Sequence, residues 1–154
     1  MWPSRPTTLP AGNPIESPNV RTRRVNQIAR WAALVAWMGL IFFLSSKSSL
    51  PRVFPPGLPQ IQDVVGHFAV YAVLAVLAWW AMRGAGVRHP VFWALVIAVL
   101  YGASDEFHQS FVPNRNPDIF DLATDLAGAA TALLIVRWWH ARGQVAARAK
   151  PDSL

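Results

Sequence analysis

Four stretches free of charge run through this chain, and their lengths limit what it can fold into. They cover residues 31–46, 64–82, 91–104 and 126–136. Crossing a hydrocarbon layer takes about 20 helical residues. The second stretch, with 19 residues, nearly suffices alone, but the third and fourth are too short if their charged neighbours are excluded. All four can span only if Asp105, Glu106, Asp121 and Asp125 lie within the helices, near one end. That arrangement keeps the backbone hydrogen-bonded throughout the apolar layer, as lipid demands. The expected fold is therefore all-α, an integral membrane four-helix transmembrane bundle.

Composition agrees. Hydrophobic residues make up 53% of the 154 positions and charged residues only 14%, against about 25% in ordinary soluble domains. Eight Trp and eight Phe suit lipid-facing surfaces and bilayer interfaces. Cysteine is absent, which excludes disulfides and thiolate metal sites. Prolines 3, 6, 10, 14 and 18 break any apolar period at the start. The expected division is a disordered cytoplasmic tail over 1–27, a four-helix transmembrane domain over 28–140 and a basic cytoplasmic tail over 141–154. A cleaved signal peptide is disfavoured, because the polar lead is long and no A-x-A site closes the first apolar run.

Basic residues set the expected orientation. Arg5, Arg21, Arg23, Arg24 and Arg30 precede the first run, Arg83 and Arg88 follow the second, and Arg137, Arg142, Arg148 and Lys150 follow the fourth. These are 11 of the 14 basic residues; only Lys47, Arg52 and Arg115 fall on the other side. The positive-inside rule places both termini in the cytoplasm of a multi-pass protein of the cytoplasmic membrane. The net charge of +6 thereby has a topological explanation, and nucleic acid is not an expected partner. Membrane lipids are, since arginines beside the inner leaflet reach anionic headgroups.

Six of the eight acidic residues belong to the opposite half. At 1.5 Å rise per residue, His67 stands about 24 Å above Arg83, Asp105 about 21 Å above residue 91, and Asp125 about 18 Å above Arg137. Three helices thus bring ionisable groups to a similar depth. Asp63, His67 and Tyr71 are spaced i, i+4, i+8; Asp105 and Glu106 sit four and three residues before Gln109; Asp118, Asp121 and Asp125 are spaced i, i+3, i+7. Each set forms one stripe. Charges facing lipid cost at least ~2.5–3.5 kcal/mol each, so the stripes should face the interior or a wet vestibule. Arg115, in the short loop after helix three, is the expected shared counter-ion. Ala123, Ala127, Gly128, Ala129 and Ala132 give helix four a small-residue face for close packing.

With these motifs in place, the sequence resembles the VanZ-like family of bacterial membrane proteins, named for a teicoplanin-resistance protein. The matching elements are Ser45-Ser46-Lys47-Ser48 after helix one, then Asp63, His67 and Tyr71 in the pattern Asp-Lys-x-x-His-x-x-x-Tyr. Asp105, Glu106 and Gln109 follow in Asp-Glu-x-x-Gln, with Arg115, Asp121 and Gly128 downstream. Two positions depart: Val64 replaces the Lys, and Asp125 stands where Asn is usual. The resemblance covers roughly residues 30–139. It implies a role in the bacterial envelope and reduced susceptibility to lipoglycopeptides such as teicoplanin, with a lipid-linked envelope precursor or the lipoglycopeptide as partner. It implies no particular reaction.

For the residues themselves several readings stay open. His67 is either a buried imidazole bonded to Asp63 or another neighbour, or an acid–base group. Asp118 and Asp121 fall in the first turn of helix four, where carboxylates satisfy orphan amides. Two carboxylates forced together can instead divide the roles of acid and base, making His67, Asp105, Glu106 and Asp121 the catalytic candidates of an intramembrane enzyme. Asp63, His67, Tyr71, Asp105, Glu106, Gln109, Arg115, Asp121 and Asp125 make up the expected binding group. That donor set also fits a divalent metal: oxygen ligation suits Mg²⁺, Mn²⁺ or Ca²⁺, and an imidazole admits Zn²⁺. A serine nucleophile is disfavoured, since no G-x-S-x-G occurs and Ser104 has no evident base. The Trp pairs at 79–80 and 138–139 read as interface anchors.

Overall fold

A computed structural model describes residues 20–49 and 59–148. Four helices account for nearly all of them: α1 (Val20–Ser45), α2 (Pro59–Gly84), α3 (Pro90–Gln109) and α4 (Ile119–Arg148). All four are long and apolar enough to cross a membrane. Helix α1 starts at Val20 and α4 continues to Arg148, so both take in residues that composition assigned to the tails. Residues 1–19 and 149–154, and with them most of the expected terminal tails, lie outside the described residues, as does Arg52.

Successive helices run in alternating directions, which sorts the polar residues to two ends. At the basic end, α2 stops in a Schellman motif: Val87 N–H bonds Met82 C=O at 3.0 Å, Gly86 N–H bonds Arg83 C=O at 3.1 Å, and Gly86 holds φ 71°. Glycine occupies this left-handed position without a Cβ penalty. Pro90 then opens α3, where its missing N–H costs no helical bond. Carbonyls near the end of α2 also receive side chains from α1. Gln27 Nε2 donates to Ala81 C=O at 2.8 Å, and Arg30 to Trp80 C=O at 3.3 Å. Arg30, Arg83 and Arg142 lie over Trp80, Trp79 and Trp138, which is the interface chemistry expected of those Trp pairs.

Helix α2 is the hub. It packs on α1, α3 and α4, most extensively on α4, whereas α1 touches α3 lightly and makes no contact with α4. Its buried face, Tyr71, Leu74, Ala75, Ala78 and Ala81, repeats at helical spacing and meets Ala94, Ala98, Ala129 and Leu133. So many alanines let the backbones approach closely, where packing rather than hydrophobicity drives association. At Gly128 helix α4 comes against the α2 backbone: an added Cβ would meet the Phe68 carbonyl oxygen and lie 2.9 Å from its carbonyl carbon. On α4 the packed small residues are Gly128 and Ala129, while Ala123 and Ala127 are exposed, so the small-residue face is narrower than the sequence suggests. The outward surface is apolar, with Phe42, Phe43, Phe92, Leu100 and Leu134 each more than half exposed, as lipid contact requires.

Candidate functional site

At the other end the helices deliver their ionisable residues to one place. Asp105 and Glu106 lie in the last turns of α3, and Asp121 and Asp125 in the first turns of α4. The short uncharged runs thus do continue as helix through their acidic neighbours.

Asp105 is buried, and its Oδ2 accepts two bonds: from Ser45 Oγ at 2.8 Å and from Gln109 Nε2 at 3.0 Å. The Gln109 bond is the i, i+4 pairing read from the sequence. Ser45, the last residue of α1, ties that helix to α3. Across the bundle, His67 Nδ1 and Asp125 Oδ1 are 2.9 Å apart, and His67 Nε2 lies 3.8 Å from Asp121 Oδ2. The close approach at Gly128 explains the short contact: it brings α4 against Phe68, next to His67, one turn from Asp125. Gly102 does the same on α3, where a Cβ would stand 3.1 Å from Asp125 Oδ2 and 3.4 Å from Tyr71 Cε1.

Glu106 serves the backbone with one oxygen. Its Oε2 accepts the Asp118 N–H at 2.8 Å, while Asp118 Oδ1 accepts the Phe120 N–H at 2.9 Å and caps α4, as its position suggested. Three buried polar atoms find no partner among the described residues: Glu106 Oε1, Asp125 Oδ2 and the Tyr71 hydroxyl. In a native interior such atoms are few, and an ordered water, an ion or a catalytic role accounts for them.

Arg115 corrects one expectation. Among the described residues it makes no ion pair with a carboxylate; its Nε donates instead to Lys47 C=O at 3.1 Å. Lys47 lies just beyond the end of α1, so its carbonyl stands outside the helical ladder and accepts a side-chain donor instead. The guanidinium thereby closes the α3–α4 loop onto α1. It still lines the same cavity as His67.

That cavity, about 490 Å³, lies against α1 and α2. Ile41, Leu44, Val65, Ala69 and Val70 make an apolar wall, and Ser45, Asp63, His67, Tyr71, Asp105, Gln109 and Arg115 make a polar end. Of the expected group, Glu106, Asp121 and Asp125 stand behind His67 rather than in the wall. Asp63 lines the cavity but is exposed, and it is Asp125 that holds His67. Sequence reasoning did not assign Ser45 individually and missed His108, whose Nε2 lies 3.0 Å from Ser46 Oγ while its ring stacks on Phe42 at 4.4 Å. The serine run after helix one was the available signal for the first.

Comparison with known proteins bears on these residues. A family model described as VanZ/LLP1 matches residues 29–140, which includes every site residue above. An uncharacterised protein of the yeast Schizosaccharomyces pombe is 37% identical over 90 residues, 58% of this chain and 56% of that relative. The chain thus matches little more than half of the relative's length. No solved structure matches.

Proposed function

We infer, from the premise that this chain belongs to the VanZ/LLP1 family, that it is an envelope protein which binds a lipid-linked precursor in the outer leaflet of the bacterial cytoplasmic membrane. The cavity carries this reading. Its apolar wall suits an acyl or polyprenyl chain, and its polar end suits a headgroup with both phosphate and hydroxyl or amine donors. Arg115 can take the phosphate, because guanidinium presents a fork of donors to such oxygens. Asp63, Asp105 and Gln109 can accept from the donors. A volume near 490 Å³ falls in the usual range of small-molecule sites. Lowered susceptibility to lipoglycopeptides such as teicoplanin would follow from altered exposure of that precursor.

The His67–Asp125 contact supports a second reading. An imidazole oriented by a carboxylate is the base–orienter pair of acid–base enzymes, so the same lipid would be a substrate. Lipid-precursor profiling of a deletion strain, complemented with wild type or His67→Ala, tests both. Binding predicts copurification of a precursor with wild type and its loss from the variant, with no new lipid species. Catalysis predicts accumulation of an unmodified precursor in the variant. Identical copurified lipids and identical profiles for the two would overturn both readings.

A further inference from the structure

We propose that His67, Glu106 and Asp125 form a binding site for one divalent transition-metal cation of the Zn²⁺ or Mn²⁺ class. Each of the three offers a donor atom, and these atoms all lie within 4.8 Å of one another. Donors around an ion with ~2.1 Å bonds stand about 3–4 Å apart, so ligation requires a closure of roughly half an ångström or more. They come from three different helices, α2, α3 and α4, so an ion here also pins the bundle.

Two independent observations make this more than an acidic cluster. Glu106 is 8% exposed and Asp125 is 2% exposed, yet each keeps one oxygen, Oε1 and Oδ2, without a donor among the described residues. A buried carboxylate oxygen without a donor costs about 1–3 kcal/mol or more. Moreover, no arginine or lysine among the described residues pairs with any carboxylate of the cluster, because Arg115 turns to the Lys47 carbonyl. Among the described residues the His67 imidazole is the group in ion-pair range of Asp121 and Asp125, and a divalent ion would compensate buried Glu106 and Asp125 together with half-buried Asp121. One imidazole beside carboxylates favours Zn²⁺ or Mn²⁺ over Mg²⁺ and Ca²⁺, which take oxygen donors. Asp121 Oδ2, 3.8 Å from His67 Nε2, stands near enough to add a fourth ligand. The site does not depend on which headgroup the cavity takes.

The test uses the full chain with a non-histidine tag, purified in detergent, stripped with chelator and then given Zn²⁺, Mn²⁺, Mg²⁺ or Ca²⁺ singly. Metal per chain after desalting and the thermal unfolding temperature are the readouts. Wild type and Ser104→Ala should each retain one equivalent and unfold at higher temperature with the metal. His67→Ala should retain none, and Glu106→Gln should bind at least tenfold more weakly. Should His67→Ala fail to fold, Glu106→Gln decides alone, because its amide oxygen can still accept the Asp118 N–H. Wild type without retained metal, equal retention by Glu106→Gln and wild type, or tighter binding of Mg²⁺ or Ca²⁺ would each overturn the assignment.

Discussion

Replacing Gly128 by alanine should drive α2 and α4 apart beside His67. The new Cβ would stand 2.9 Å from the carbonyl carbon and 3.0 Å from the Cα of Phe68, whereas carbon pairs rest at about 3.5–4.0 Å. Both obstacles are backbone, so no side chain can swing aside, and the helices must separate by roughly 0.5–1 Å. His67 and Asp125, now 2.9 Å apart, would then exceed the ~3.2 Å limit of a good hydrogen bond. Overpacking costs ~1–3 kcal/mol, and a lost bond between charged or polar buried partners adds ~1.5–3 kcal/mol. The two together, ~2.5–6 kcal/mol, lower the unfolding temperature by roughly 5–25 °C. The assay is thermal unfolding of purified protein in detergent, with Gly39→Ala as control. Nothing lies within 4 Å of a Cβ at Gly39, so that variant should gain up to ~1 kcal/mol from helix propensity. If Gly128→Ala unfolds alongside Gly39→Ala, the tight α2–α4 crossing does not set the site geometry.

Two further outcomes test orientation and site chemistry. Cysteines introduced at Ser49 and Asn116 should react with an impermeant thiol reagent in intact cells, while one at Ala85 should not; the reverse pattern inverts the topology. Asp105→Asn and Glu106→Gln should remove function at near-normal abundance in the membrane, and Asp125→Asn should leave abundance unchanged because its oxygen can still accept from His67 Nδ1; parallel loss of protein and phenotype for the first two would make their role structural.

Helix number and the shared depth of His67, Asp105 and Asp125 were legible because lipid allows few choices. A span must be long, apolar and hydrogen-bonded, and charges then mark its ends. The stripes were legible for the same reason, since helical spacing fixes which residues share a face. The partner of Arg115 was not. Charge alone favoured a carboxylate, but the loop carrying it turns at Asn114, with φ 62°, and delivers the guanidinium to the Lys47 carbonyl just beyond α1. Asp125 rather than Asp63 as the partner of His67 depends on an interhelical distance set by Gly128, which no single-helix periodicity encodes. Glu106 reaching the Asp118 N–H likewise needs the α3–α4 turn to be known. The basic ends of α1 and α4 were hidden because Arg21, Arg23, Arg24 and Arg142 are good helix formers that read as tail by charge.

The pairing of His67 with Asp125 is the geometry on which the polar site rests, and a double-mutant cycle measures it directly. Unfolding free energies of wild type, His67→Ala, Asp125→Ala and the double variant, obtained in micelles by steric trapping, isolate the pairwise term. The expected coupling is about 1.5–3 kcal/mol, as for a buried bond with ionic character. Additive single effects, with a coupling indistinguishable from zero, would contradict it and dissolve the site.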